Sequence, residues 1–277
     1  MIELPEAVVL ARQMNQILPN ALISHVTPNH SPHKFAWFHD DPEEYRTLLI
    51  GKTFIQARYK ARMVETQWDE DTILLFAEGV NLRFFGPGKT APDKHQLLIQ
   101  FSDGRILCAS VQMYGGLWAF RAGMFDNPYY RLAQERNNPF SSGFSESYWF
   151  DLICREDVQN LSVKAFLATD QRIPGLGNGV LQDILFRARI HPKTKVRDIS
   201  DPTRHTLFHS VKETVKEMAE KDGRDTEKDL FGEKGRYATR MSRNTLGTPC
   251  SICSSPIQKS QYLGGTIYFC PICQKPI

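Results

Sequence analysis

Ile173-Pro174-Gly175-Leu176-Gly177-Asn178-Gly179 runs directly into Val180-Leu181-Gln182-Asp183-Ile184-Leu185-Phe186-Arg187-Ala188-Arg189-Ile190-His191-Pro192. The first seven residues are turn formers, and Leu181, Ile184, Leu185 and Ala188 then recur at spacings of three and four, the stripe of a helix with one buried face. Glycines just before a helix let the backbone approach a ligand closely, and the helix N-terminus offers free N–H groups and positive potential, which suit a phosphate. Asn178 can cap that helix or donate to the same phosphate. A plain tight turn is the alternative reading of the glycines.

Downstream, Phe208, Val211, Val215 and Met218 form a second helical stripe, and both stripes are read as core. The tail carries Cys250-Ser-Ile-Cys253, sixteen intervening residues, and Cys270-Pro-Ile-Cys273. Two pairs of thiolates at this spacing surround one tetrahedral ion, and four cysteines leave no open position for a substrate, so the expected metal is one structural Zn2+. From Cys250 on, the tail is under thirty residues long and has little core of its own, so zinc supplies most of its folding energy. Cys108 and Cys154 sit in apolar company and are expected to pack.

Upstream, Asn137-Asn138-Pro139-Phe140-Ser141-Ser142-Gly143 clusters turn formers where periodicity is lost, which marks a linker. Before it the pattern is β-rich: Thr53-Phe54-Ile55, Ile73–Phe76, Leu97–Phe101 and Ile106–Val111, the last two flanking an Asp103-Gly104 turn signal for a hairpin. The chain opens with Leu4-Pro5-Glu6, proline and carboxylate suiting a first helical turn, followed by Leu10, Met14, Ile17 and Leu18 at helical spacing. The expected architecture is therefore α+β and multidomain. A helix and β-domain occupy residues 1–136, a linker 137–150, a helical domain 151–246 and a four-cysteine hairpin 247–277.

Composition sets the outer limits. At 277 residues and 41% hydrophobic, the chain is long enough for two compact domains and a small appendage. No window approaches the roughly 18 consecutive apolar residues that a membrane span needs, and MIELPEAVVL lacks the marks of a signal peptide, so no membrane partner and a cytoplasmic location are expected. Residues 1–150 hold 14 Lys/Arg against 16 Asp/Glu, whereas residues 151–277 hold 20 against 15. A C-terminal half richer in base suits phosphate contact, and ordinary solvated helices fit the same charge distribution.

The run Ile173–Gly179 through Phe186–Pro192 resembles the helix-two-turn-helix of the formamidopyrimidine-DNA glycosylase/endonuclease VIII family. The four-cysteine tail is similar to that family's zinc finger, and Met1-Ile2-Glu3-Leu4-Pro5-Glu6 to its Met-Pro-Glu-Leu-Pro-Glu start. The resemblance implies an N-terminal helix on a β-sandwich, a helix-two-turn-helix domain and a zinc-finger hairpin, with double-stranded DNA, damaged or abasic, bound between the domains by a monomer. It implies base-excision chemistry: an N-terminal amine attacks C1′ to give a Schiff base, a neighbouring glutamate moves protons, and a lyase step cleaves the strand. An α-amine, with an ordinary pKa near ~8, is a sensible nucleophile.

Carried over residue by residue, Glu3 matches the catalytic glutamate and Glu6 the second carboxylate. Lys60 matches a lysine on the flanking phosphate, and Gly177-Asn178 the phosphate-binding turn. Ile2 stands where the family has proline. The nucleophile is then the amine of Ile2 if Met1 is removed, or that of Met1 if it is not. Gly265 stands where the finger has arginine. Glu78, Met113 and Tyr114 fall at the positions that fill the gap left by an everted base, and Tyr114 keeps a ring that can wedge between bases. Two main readings follow: a DNA glycosylase with lyase activity, or a catalytically impaired protein that binds damaged or kinked DNA without excision. A third, an RNA-binding zinc ribbon, requires the N-terminal match to be accidental.

Overall fold

The computed structural model describes residues 1–275. They divide into two compact units, one made of Met1–Arg131 together with Glu227–Gly235, the other of Leu132–Thr226 and the chain from Arg236 onward.

The first unit begins with α1 (Leu4–Ile17) and continues through β1 (Ile23–Pro28), β2 (Ala36–Phe38), α2 (Tyr45–Leu49), β3 (Phe54–Lys60), β4 (Met63–Trp68), β5 (Thr72–Phe76), β6 (Val80–Phe85), β7 (Leu97–Phe101), β8 (Ile106–Val111) and β9 (Gly115–Arg121). Two sheets form, ordered β1-β7-β8-β6 and β2-β9-β5-β4-β3. Strand β2 is the edge of the second sheet and runs parallel to β9. The Asp103-Gly104 hairpin pairs β7 with β8, and Gly104 adopts the φ of +84° that such a turn favours. Ala7, Leu10, Ala11 and Met14 of α1 pack with Trp68, Leu74 and Phe76 of the second sheet and Leu82, Ile99 and Phe101 of the first in one core.

The segment 227–235 belongs to this unit. Leu230 is fully buried in the same core. Its backbone is held at both ends: the Leu230 N–H donates to Gln13 Oε1 at 3.1 Å, and the Phe84 N–H donates to Leu230 O at 2.8 Å. Gln13 Nε2 donates to the Asp229 carboxylate at 2.8 Å. A buried glutamine whose two ends are both satisfied costs little to desolvate and fixes one register of the segment.

The second unit contains α3 (Pro128–Glu135, which starts in the first), α4 (Glu146–Ile153), α5 (Val163–Ala168), α6 (Asn178–Arg187), α7 (Asp201–Glu220), β10 (Gln258–Tyr262) and β11 (Gly265–Phe269). Ser145, Ser162 and Ser200 cap α4, α5 and α7 through their side chains. The two stripes read from the sequence are buried on α6 and α7. Cys108 is buried as expected, whereas Cys154 is exposed at the end of α4, where Arg204 approaches its Sγ at 3.7 Å. Its apolar sequence neighbours turn inward; the helix end leaves the thiol at the surface. Among the described residues no helix is long and apolar enough to cross a membrane.

Candidate active site and metal centre

At the start of α1, Glu3 is the N-cap, and Glu6 Oε2 accepts from the Glu3 N–H at 3.3 Å in a capping box. Both carboxylates are buried, at 2% and 6% exposure, at the positive end of the helix. Ile2 is buried too, at 3% exposure, as a member of the core. The chain is thus fixed from its second residue. Only Met1 projects, and its amine forms an ion pair with Glu227.

Around Met1 stand Arg62, Glu78 and Tyr114. Arg62 ion-pairs with Glu78 and places Nη2 at 3.6 Å from Met1 Sδ, and the Tyr114 hydroxyl lies 4.0 Å from the same sulfur. Burial pushes the Glu78 carboxyl up from its ordinary range; Arg62 opposes this and the nearby Glu3 adds to it. The Tyr114 phenol is raised by burial and by Glu78. The turn that carries Glu78 reaches Tyr114 because of Gly79. With φ at +86°, a Cβ there would fall 1.7 Å from Tyr114 O. Glu78 does not therefore stand in a gap as a lone repelling charge. Its partner Arg62 compensates it.

Lys60 ends β3 opposite Met63, half-buried, and makes no ion pair among the described residues. Met113 is 67% exposed.

In the second unit Gly177, in extended conformation, is the N-cap and Asn178 the first residue of α6. Of the two roles open to Asn178, capping is not the one adopted. Its Nδ2 donates to Thr266 O at 3.0 Å, and its Oδ1 is buried without a hydrogen-bond partner. Gln182, one turn on, donates to the same carbonyl at 2.8 Å and accepts from the Tyr268 N–H at 2.9 Å. Strand β11 is thereby bonded along α6, which brings Gly265 against Asn178: a Cβ on Gly265 would meet the asparagine at 3.4 Å, ordinary contact.

The Sγ atoms of Cys250, Cys253, Cys270 and Cys273 all lie within 4.8 Å of one another, with 3.9 Å between Cys250 and Cys273 and 3.4 Å between Cys253 and Cys270. Sulfurs each about 2.3 Å from a tetrahedral zinc are separated by about 3.8 Å, so the cluster fits that ion. Backbone N–H groups of Ile252 and Cys273 point at the sulfurs of Cys250 and Cys270, each at 3.4 Å, the kind of donor that stabilises thiolate charge. The four cysteines are the ligand set of one structural zinc. Gln274, fully buried, closes the knuckle: it accepts from the Cys270 N–H at 3.0 Å and donates to Ile190 O at 2.9 Å.

Sequence reading located the four cysteines of the metal cluster, and named Glu3, Glu6 and Asn178 through the resemblance. Arg62, Gln182 and Glu227 were missed. Glu227 carries no local signal, since its partner is the other end of the chain.

Residues 137–229 match the formamidopyrimidine-DNA glycosylase H2TH domain. The chain is 28% identical over 243 residues to the formamidopyrimidine-DNA glycosylase of Bacillus licheniformis, covering 85% of this chain and 86% of that protein. It is 27% identical over 281 residues to that of Halalkalibacterium halodurans, covering 99% of each. Among solved structures, the Lactococcus lactis Fpg in complex with abasic-site DNA superposes with a TM-score of 0.84 at 20% identity, over 99% of both chains. The MutM (Fpg) protein of Thermus thermophilus does so with 0.82 at 19% identity, again over 99% of both chains. The chain thus carries a formamidopyrimidine-DNA glycosylase H2TH domain in its interior, and from end to end it is similar in sequence to proteins of that name and shares their fold.

Proposed function

We propose that this chain is a DNA glycosylase with lyase activity, acting on damaged bases or abasic sites in double-stranded DNA through an N-terminal amine. The observation that carries this reading is the burial of Glu3 and Glu6 at the head of α1, one turn from the only end of the chain that bears an amine. A buried carboxylate beside an amine can take up and return the protons of a Schiff-base sequence, in which the amine bonds to C1′, the base leaves and the sugar ring opens. Glu3 is assigned that proton transfer, and Glu6 the fixing of Glu3 through the capping box. Lys60, Gly177 and Asn178 are assigned to flanking phosphates, and Tyr114 to the gap in the base stack. The zinc holds β10 and β11 in shape and takes part in no bond that is made or broken. A cytoplasmic monomer is the accompanying reading.

Borohydride trapping on an abasic-site duplex, combined with intact mass of the protein's N-terminus, tests it. A covalent adduct on the N-terminal residue, lost in Glu3→Gln and kept in Lys60→Ala, supports excision by the amine; Lys60 is included because a lysine can also trap an aldehyde. Absence of the adduct in a protein that still binds the duplex overturns it. That outcome favours a protein that binds damaged or kinked DNA without excision, a reading supported by the Met1–Glu227 ion pair and the missing side chain at Gly265.

A further inference from the structure

His30, His33, Lys34, Phe35, Trp37, Phe38 and His39 set one cation, Lys34, among six rings within ten residues, and the first acidic residue, Asp40, follows them and lies 3.3 Å from His39. Trp37, on edge strand β2, is 47% exposed, and Phe35, in the turn just before it, is 46% exposed, while Ala36 and Phe38 pack against the core. Strand β2 is held there by its parallel register with β9, in which Trp37 faces Gly116, and by the Gly115 N–H donating to Phe35 O at 2.9 Å. Trp37 then lies beside Tyr114, ring centroids 5.9 Å apart and planes inclined by 31°. Through Tyr114 the aromatic face is continuous with Met1, Arg62 and Glu78.

Exposed aromatics of this size on an edge strand mark a binding surface, and its chemistry selects the partner. Lys34 lies 5.4 Å from the Phe35 ring centroid, a cation in position for a phosphate beside a ring in position for a base. Protein-binding faces are typically depleted of lysine, whereas rings interleaved with cations are the pattern of single-stranded nucleic acid grooves. Tyr114 is half-buried, its hydroxyl 4.0 Å from Met1 Sδ, whereas Trp37 beside it is 47% exposed. The more accessible ring is that of Trp37.

We infer that Trp37, with Phe35 two positions away and the Tyr114 ring next to it, stacks on a nucleobase that has lost its partner in the duplex. The inference rests on the glycosylase reading for the nature of the ligand, and its test needs no covalent step.

Binding of one duplex sequence, intact and with a single abasic site, is measured by anisotropy and by tryptophan emission. Trp68 and Trp149 are fully buried and Trp118 is half-buried, so Trp37 is the most exposed reporter. Trp37→Ala is expected to weaken abasic-duplex binding by about 5- to 150-fold and intact-duplex binding by less than about twofold. Trp37→Phe should retain most of the affinity and lose the emission quench that the abasic duplex produces in the unaltered protein. Phe35→Ala should show a smaller loss with the same preference. Equal loss on both duplexes, unchanged affinity in Trp37→Ala, or emission unchanged at saturation overturns the inference. So does a dimer that Trp37→Ala dissociates without any change in DNA affinity. Protein that binds and quenches but never traps leaves this inference standing and removes the glycosylase reading.

Discussion

The amine of Met1 and the carboxylate of Glu227, 226 positions apart in the chain, form an ion pair at the head of α1. Attack on a sugar carbon requires the amine to leave that carboxylate. Glu227→Gln keeps a polar partner and removes the charge. A part-exposed pair is worth about 0.2–1 kcal/mol, so single-turnover trapping on an abasic duplex is expected to speed up by at most about fivefold. Slower trapping would show instead that Glu227 accepts the amine's proton.

Arg62 and Glu78 are a second pair, with side chains 21% and 27% exposed. Removing the arginine leaves a largely desolvated carboxyl without its counter-charge. Arg62→Ala should lower the unfolding free energy by about 1–3 kcal/mol, a range reduced for partial exposure. In Arg62→Ala/Glu78→Ala most of that loss should return, as measured by urea unfolding of the three proteins.

Gly265 meets Asn178 at ordinary contact distance and does not need a left-handed backbone, so a side chain is tolerated there. Gly265→Arg adds a fixed cation next to the turn assigned to phosphate. DNA affinity is expected to rise roughly tenfold, and the slope of log affinity against log salt to steepen by about one. A change in affinity with an unaltered salt slope would mean that the arginine does not reach a phosphate.

Cys270→Ser removes a fully buried ligand from the tetrahedral set. Zinc content should fall from one equivalent to near zero by elemental analysis. Structural zinc is worth about 10–16 kcal/mol to small finger peptides, so residues 247–275 should become susceptible to protease. A chelator acting on the unaltered protein should reproduce the effect.

Tyr45 Oη donates to Leu117 O at 2.8 Å and accepts from the N–H groups of His39 and Ala119. Burial pushes its phenol up from 10 to about 12. The folded state therefore holds the proton more tightly than the unfolded chain. Stability from this group is complete below pH 10 and is lost as pH rises from 10 to about 12, by about 3 kcal/mol over the full window. Tyr45→Phe should start less stable at pH 8, because two N–H groups and a carbonyl lose their partner, and should show a shallower decline above pH 10 in thermal melts.

Where a segment's fate depends on its own residues, the sequence was legible. The α1 stripe from Leu10 to Leu18, the Asp103-Gly104 hairpin, the two stripes of the helical region and the four thiolates each need only local pattern. What escaped depends on distant partners. Strand β2 is three residues long and exists because β9 lies beside it; nothing in Ala36-Trp37-Phe38 alone specifies a parallel edge. Glu78 read alone is a surface charge, and only Arg62 across the turn makes it part of a site. Cys154 shows the reverse error, since apolar neighbours in sequence did not make a buried thiol.

Leu230 completes the core of a unit whose other residues end at Arg131. A chain emerging from the ribosome reaches that leucine about a hundred residues, some 5–20 seconds of synthesis, after the last strand of the β-sandwich. Until then Gln13, Phe84 and the first-unit core lack their partner, and Glu227 is not there to meet the amine.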